Sequence, residues 1–145
     1  MPDSNLHIYE RLIEAFNESG PEGALRFYHE DAEVFDPDAP EGRSYRGRDA
    51  VARFLDELVG GSDVAEIRAW RLHPAGDRVV GLLHTRRSRE SDGAVVEMIE
   101  AHTLTFREGK VSYWRVHIDP REALADAGLD PQLVDARDPA EPEPA

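Results

Sequence analysis

Four long β-prone segments follow one another over residues 64–119, and only short turns separate them. Turn-forming residues stand between the segments, as Pro74-Ala75-Gly76-Asp77, Ser91-Asp92-Gly93 and Glu108-Gly109-Lys110. The segments are rich in Val, Ile, Thr, Trp and Leu and cover residues 64–73, 78–89, 94–107 and 110–119. Because intervals this short hold no crossover helix, consecutive strands are predicted to be antiparallel neighbours. A long meander is the main constraint on the fold.

Three helices are predicted ahead of the meander. Apolar residues repeat at i, i+3/i+4 over residues 6–16, and Ser19-Gly20-Pro21 ends this first helix. The second helix has a short apolar face within residues 21–28, and the third covers about residues 48–58. Between them we expect a brief strand over residues 33–36 and a loop over residues 37–47.

Helices first and a long meander afterwards predict an α+β fold. A curved antiparallel sheet would wrap around the helices and leave a cavity, which is the expected ligand site. A short helix is predicted over residues 122–127. We expect one domain over residues 1–130, followed by an acidic, proline-rich, disordered tail over residues 131–145.

Composition excludes several classes of function. The chain of 145 residues has 30 acidic and 17 basic residues, a formal net charge of −13, so we expect neither nucleic acid nor anionic membrane as a partner. It has no cysteine, which removes disulfides and thiolate chemistry. Neither a secretory signal nor a membrane-spanning apolar run is present, and we expect a cytoplasmic protein.

Four segments carry a resemblance to a known family. They are IYERLIEAFNESG, FYHEDAEVFDPDAP, YRGRDAVARFLDEL and EAHTLTFREGKVSYWRVHIDPREALADAGL. In their order and spacing the chain resembles the SnoaL-like and ketosteroid isomerase-like branch of the nuclear transport factor two-like superfamily. The resemblance covers about residues 5–129. It implies a cone-shaped barrel of curved antiparallel sheet around three N-terminal helices, and a range of activities from isomerase, cyclase, epoxide hydrolase and dehydratase to binding alone.

The resemblance also implies roles for individual residues. Asp36 falls on the general-base position of the steroid isomerases, and His102 falls on the position of their protonated acid. Leu12 stands where those enzymes have a hydroxyl-donating Tyr, so their oxyanion hole is incomplete here. Glu100, His102 and Val116 stand where the related epoxide hydrolases have an Arg and two Asp, which speaks against that chemistry.

Strand alternation, with the same alignment, predicts the side chains that share the cavity with Asp36. The predicted catalytic residues are Asp36 and His102. The predicted ligand pocket is lined by Leu12, Phe16, Phe54, Leu82, His84, Arg86, Glu100, Trp114 and Val116.

Each polar residue also has a structural interpretation. Asp36 precedes Pro37 and can cap the following turn instead of reaching the pocket. His102 can be satisfied by Glu100, Asp36 or backbone, and Arg86 can form a cross-strand ion pair with Glu100 instead of binding a substrate carboxylate. The histidines are scattered and form no recognised metal motif, so we expect no metal and no cofactor.

Two functional hypotheses follow. The first is cofactor-independent acid/base catalysis, of the isomerase, cyclase or dehydratase type, on an apolar oxygenated small molecule. The second is a non-catalytic ligand-binding or dimerisation module. A homodimer is expected through the opposite face of the sheet, because family members commonly dimerise there and its exposed surface mixes polar and apolar groups. The residues predicted on that face are Thr85, Ile99, Thr103, Tyr113, Arg115 and His117.

Overall fold

Six strands form a single sheet, and helices cover both of its faces. The computed structural model describes residues 2–36, 43–59, 64–117 and 119–135. The helices are α1 (Pro2–Ser19), α2 (Pro21–Leu25), α3 (Arg48–Val59) and α4 (Pro120–Asp126), with a 3-10 helix over Pro131–Asp135. The strands are β1 (Tyr28–Asp36), β2 (Arg43–Arg46), β3 (Val64–Ala75), β4 (Arg78–Ser88), β5 (Val95–Arg107) and β6 (Lys110–His117).

The meander runs from β3 to β6 and continues through β1 to β2. The strand order is β2-β1-β6-β5-β4-β3, with every pair antiparallel except β1 and β6, which are parallel. The sheet is curved and stays open, with β2 and β3 as its edges. The predicted α+β fold with a curved sheet around N-terminal helices is confirmed.

The main core lies between the inner face of the sheet and helices α1 to α3. Tyr9, Phe16 and Phe54 of these helices pack there against Leu104 and Trp114 of the sheet. The outer face has a smaller core, made by α4 and the strands beneath it. Its members are Val80, Leu82, Ala101, Ala123 and Leu124. The sheet therefore buries side chains on both faces, which is why β4 reads as a continuous apolar run.

The structure differs from the sequence prediction in three elements. Strand β1 begins at Tyr28, so the second helix is shorter and the strand longer than predicted. Part of the loop predicted over residues 37–47 is strand β2, which pairs with β1. Pro131–Asp135 is helical where the tail was predicted to begin, and Leu133 packs on the outer core. The rest of that predicted tail, residues 136–145, lies outside the described residues.

Within the described ranges, none of the helices has both the length and the apolar character needed to cross a membrane.

Candidate functional site

A cavity lies between α1 and the inner face of the sheet. Its volume is about 50 Å³, and most of its wall consists of aliphatic and aromatic side chains. Leu12 and Phe16 of α1 line one side, and Leu104 and Trp114 line the floor. The polar residues on its wall are Glu66, Thr85, Arg86, Arg87, Glu100 and His102. The site is thus an apolar chamber with one polar end.

A hydrogen-bonded chain of three side chains forms that polar end. Trp114 Nε1 donates to Nδ1 of His102 at 3.0 Å, and Nε2 of His102 is 2.8 Å from Oε2 of Glu100. An indole N–H can only donate, so Nδ1 of His102 must be unprotonated and accept. The imidazole proton therefore resides on Nε2 and is donated to Glu100. Both ring nitrogens of His102 are thus satisfied by protein groups.

The second oxygen of Glu100 is also bound. Arg87 Nη2 and Thr85 Oγ1 donate to Oε1 at 3.1 and 3.2 Å. Burial alone would raise the pKa of Glu100, but its hydrogen bond with His102, the charge of Arg87 and the hydrogen bond from Thr85 hold that pKa below its ordinary value. Glu100 is therefore an ionised carboxylate at neutral pH.

Tyr9 contacts this network through the backbone of His102. Its buried hydroxyl donates to the backbone carbonyl of His102 at 2.7 Å. Burial, and to a lesser extent Tyr28, raises the pKa of Tyr9 well above its ordinary value, so the hydroxyl remains a donor. Gly81 makes this contact possible, because a Cβ at that position would overlap the Tyr9 ring and hydroxyl. Tyr9 positions the strand that carries His102.

Most of the predicted pocket residues on α1, α3, β5 and β6 lie on the helix side of the sheet. Leu12, Phe16, Glu100, His102 and Trp114 line the cavity. Val116 and Phe54 belong to the surrounding core, and the Phe54 ring packs edge-on against Trp114 at 5.0 Å between centroids. Asp36 ends β1, where its backbone pairs with Arg43, but its side chain lies outside the described residues.

The predicted inward orientation of β4 is wrong by one residue. His102 pairs with Gly81 and Glu100 with Leu83, and residues directly paired across antiparallel strands share a face. The inward side chains are therefore Leu83, Thr85 and Arg87. Leu83, Thr85 and Arg87 replace Leu82 and His84, which were predicted to line the pocket, whereas Arg86 borders the cavity as predicted although it belongs to the outward phase. Thr85, which was expected on the outer face, lies on the inner one.

The outward-facing side chains of β4 are Leu82, His84 and Arg86, and they have other partners. Leu82 packs beneath α4 in the outer core, and His84 lies between Leu82 and Arg86 on the same face. Arg86 borders the cavity, yet its Nε is 3.4 Å from Oε1 of Glu97, not from Glu100. The cross-strand ion pair predicted for Glu100 is made by Arg87 at 3.1 Å.

Sequence reasoning missed Tyr9, Thr85 and Arg87 as members of this site. Tyr9 is part of the apolar stripe of the first helix, and its hydroxyl was the signal that it needed a buried acceptor. The run Val79-Val80-Gly81-Leu82-Leu83 is apolar in both phases, so alternation alone could not separate the two faces.

No group of three potential metal ligands is found among the residues whose placement is described. The buried carboxylate of Glu100 and the imidazole of His102 are both already bonded to protein groups. What this arrangement can do is accept one further hydrogen bond on Glu100, since a carboxylate has about four acceptor positions.

The chain thus folds as a curved sheet with a largely apolar cavity beneath its N-terminal helices. The chain belongs to the SnoaL-like domain family, which matches residues 9–114. No curated protein sequence matches it significantly.

Solved structures share the fold at low identity. A nuclear transport factor two-like protein of unknown function from Burkholderia pseudomallei is 21% identical, with a TM-score of 0.68, over 84% of this chain and 95% of that chain. A hypothetical protein from Catenulispora acidiphila with a ketosteroid isomerase-like fold, in complex with trimethylamine, is 15% identical, with a TM-score of 0.65, over 86% and 95%. A Mycobacterium tuberculosis protein in complex with estradiol-17beta-hemisuccinate is 16% identical, with a TM-score of 0.66, over 79% and 92%.

Proposed function

We propose that this protein binds a compact, largely apolar small molecule that donates one hydrogen bond to Glu100. The observation that carries the proposal is the ionised Glu100 carboxylate at the polar end of a largely apolar cavity. His102, Arg87 and Thr85 occupy about three of its four acceptor positions, which leaves one for a ligand hydroxyl or amine.

The volume of the cavity limits the size of the ligand. At about 50 Å³ it is well below the roughly 300–1,000 Å³ typical of drug-sized ligand sites. A cavity that binds benzene has a volume of about 150 Å³. A ligand of one ring therefore requires α1 to move slightly away from the sheet, and a steroid requires a larger movement. Small-molecule complexes of proteins with this fold support the proposal, since the fold admits ligands of both sizes.

Phenol and toluene test the proposal, because they have nearly the same shape and only phenol donates a hydrogen bond. Titration calorimetry should show that Glu100→Gln weakens phenol binding by about tenfold or more, the value of a charge-assisted hydrogen bond. Toluene binding should stay unchanged. Glu97→Gln on the outer face of the same strand is the matched control. Failure of both molecules to bind, or equal losses for both in Glu100→Gln, would refute the proposal.

A second candidate is cofactor-independent acid/base catalysis on an apolar oxygenated substrate, of the isomerase, cyclase or dehydratase type. The chain from Trp114 through His102 to Glu100 favours it, because it places a movable proton beside the cavity. In this proposal Asp36 is the base and His102 the partner acid or oxyanion donor. To act so, His102 would have to release Glu100 and donate its Nε2 proton to the substrate. Binding stands first for that reason.

Turnover assays on steroids, terpenoids and aromatic polyketides test the catalytic candidate. Asp36→Asn should lower kcat by about 10²–10⁴-fold, the range for a general base, and leave the melting temperature nearly unchanged. Asp56→Asn on the exposed face of α3 is the control. A collapsed melting temperature in Asp36→Asn would instead assign that residue to the turn that it precedes.

We also propose that the protein is a homodimer through the outer face of the sheet. Ile99 and Val95 support this, because they project from that face with 40% and 50% of their surface exposed. Part of the predicted face is already covered, since α4 packs over Ala101 and its neighbours. The proposed contact is therefore limited to the end of β5.

A further inference from the structure

A second pocket lies on the outer face of the sheet, alongside α4, and we call it the outer groove. Its volume is about 350 Å³, within the usual range for small-molecule sites. It is lined by Arg78, Thr103, Thr105, Tyr113, Arg115, His117, Ala123, Asp126 and Ala127. The sheet separates it from the cavity that contains Glu100, so the two sites are independent.

Strand register brings the polar side chains of the outer groove together. Thr105 pairs with Arg78 on one side and with Tyr113 on the other, while Thr103 pairs with Arg115. Directly paired residues share a face, so two guanidinium groups and three hydroxyls form adjacent rows. This is a surface of hydrogen-bond donors.

The arginines of the outer groove are available to a ligand. Among the described residues neither Arg78 nor Arg115 forms an ion pair with a carboxylate. Arg115 is held in place by the ring of Phe35, 4.9 Å from its guanidinium carbon. The acidic member of the lining, Asp126, faces His117, with 3.9 Å between Oδ2 and Nε2.

Thr103 points independently to a ligand in the outer groove. The residue is 7% exposed, and its Oγ1 is a buried polar atom without a hydrogen-bond partner among the described residues. A buried hydroxyl left unpaired costs about 1–3 kcal/mol, so such groups in native proteins usually have a partner. A bound acceptor in the outer groove would supply it.

We propose that the outer groove binds a small organic or inorganic oxyanion, through a carboxylate or phosphate group. Arginine binds both groups through paired hydrogen bonds, and hydroxyls donate to the same oxygens. The lining has two arginines against one aspartate, so the outer groove is locally positive in a chain with a net charge of −13.

Nuclear magnetic resonance of the full chain labelled with ¹⁵N tests the proposal, with inorganic phosphate and succinate titrated separately at constant ionic strength. Saturable amide shifts should appear at Thr103, Thr105, Tyr113 and Arg115. The anion that saturates at the lower concentration identifies the group, phosphate or carboxylate.

Two variants make the test specific. Arg115→Gln should weaken binding by about tenfold or more, whereas Arg11→Gln, which removes an exposed charge on α1, should change it less than about twofold. Thr103→Val should weaken binding without lowering the melting temperature of the free protein, because the hydroxyl it removes has no partner there.

Three results would overturn the proposal. These are the absence of saturable shifts with both anions, an equal loss of affinity in Arg11→Gln, and a large drop in melting temperature in Thr103→Val. The last would show that the hydroxyl already has a structural partner.

Discussion

The indole of Trp114 determines which form of His102 the protein contains. Because Trp114 donates to Nδ1, protonation of that nitrogen would break the hydrogen bond and leave two donors facing each other. Glu100 in turn favours a proton on Nε2. Nε2 is thereby held as the donor of the ring, and the carboxylate of Glu100 is the acceptor that it faces.

Glu100 should also make stability depend on pH. Its pKa is lower in the folded protein than the value of 4.5 expected when unfolded, so it stabilises the fold above that pH and this contribution is lost as the pH falls through the folded pKa. Glu100→Gln should lower the free energy of unfolding by about 1–3 kcal/mol near pH 7, because partners of a partly buried charge lose their acceptor. Urea unfolding should show that this difference shrinks as the pH is lowered below 4.5 and through the folded pKa.

Glu97→Gln provides the comparison for that experiment. Glu97 pairs with Arg86 on the outer face, where both side chains are 53% exposed, and exposed pairs contribute little to stability. A loss in Glu97→Gln as large as that in Glu100→Gln, or a Glu100→Gln difference that does not vary with pH, would contradict the assignment of Glu100 as the stabilising carboxylate.

Tyr9 of helix α1 packs directly against Gly81 of strand β4. A side chain there would overlap Tyr9, so Gly81→Ala should lower the free energy of unfolding by about 1–3 kcal/mol through overpacking. In the Tyr9→Ala background the same substitution should cost much less, and a double-mutant cycle in urea should give a coupling of about 1 kcal/mol or more. Equal costs in both backgrounds would place the strain elsewhere.

The element order was predictable from the sequence because the turn signals between β3, β4, β5 and β6 are local. Strand β2 was not, because residues Arg43–Arg46 form a strand only through pairing with β1, a contact distant from any local signal. The prediction of which β4 side chains point inward was wrong for a different reason. Its outer face is covered by α4, so Leu82 and Leu83 are both buried and alternation is lost.

In the candidate site, too, residues of one strand were predictable from the sequence, whereas their partners on the neighbouring strand were not. His102 was identified through the family resemblance and Glu100 through alternation on the same strand. Arg87 and Thr85 instead reach Glu100 from the neighbouring strand and depend on its register. An error of one residue in that register exchanged Arg87 for Arg86 as the partner of Glu100.

At the scale of the whole molecule, net charge and exposed apolar surface act against each other. A charge of −13 disfavours self-association, while the apolar residues at the end of β5 favour it. If the proposed homodimer forms there, Ile99→Lys should convert it to a monomer, because a charge would be buried in the contact. Light scattering should report the mass of two chains for the parent protein and of one chain for this variant.

Met98→Lys is the matched control for this experiment. Met98 is 46% exposed but projects from the inner face of the same strand, so its substitution should leave the mass unchanged. Added salt should strengthen the dimer by screening the repulsion between two acidic chains. A parent protein with the mass of one chain at both low and high salt would contradict the proposed contact.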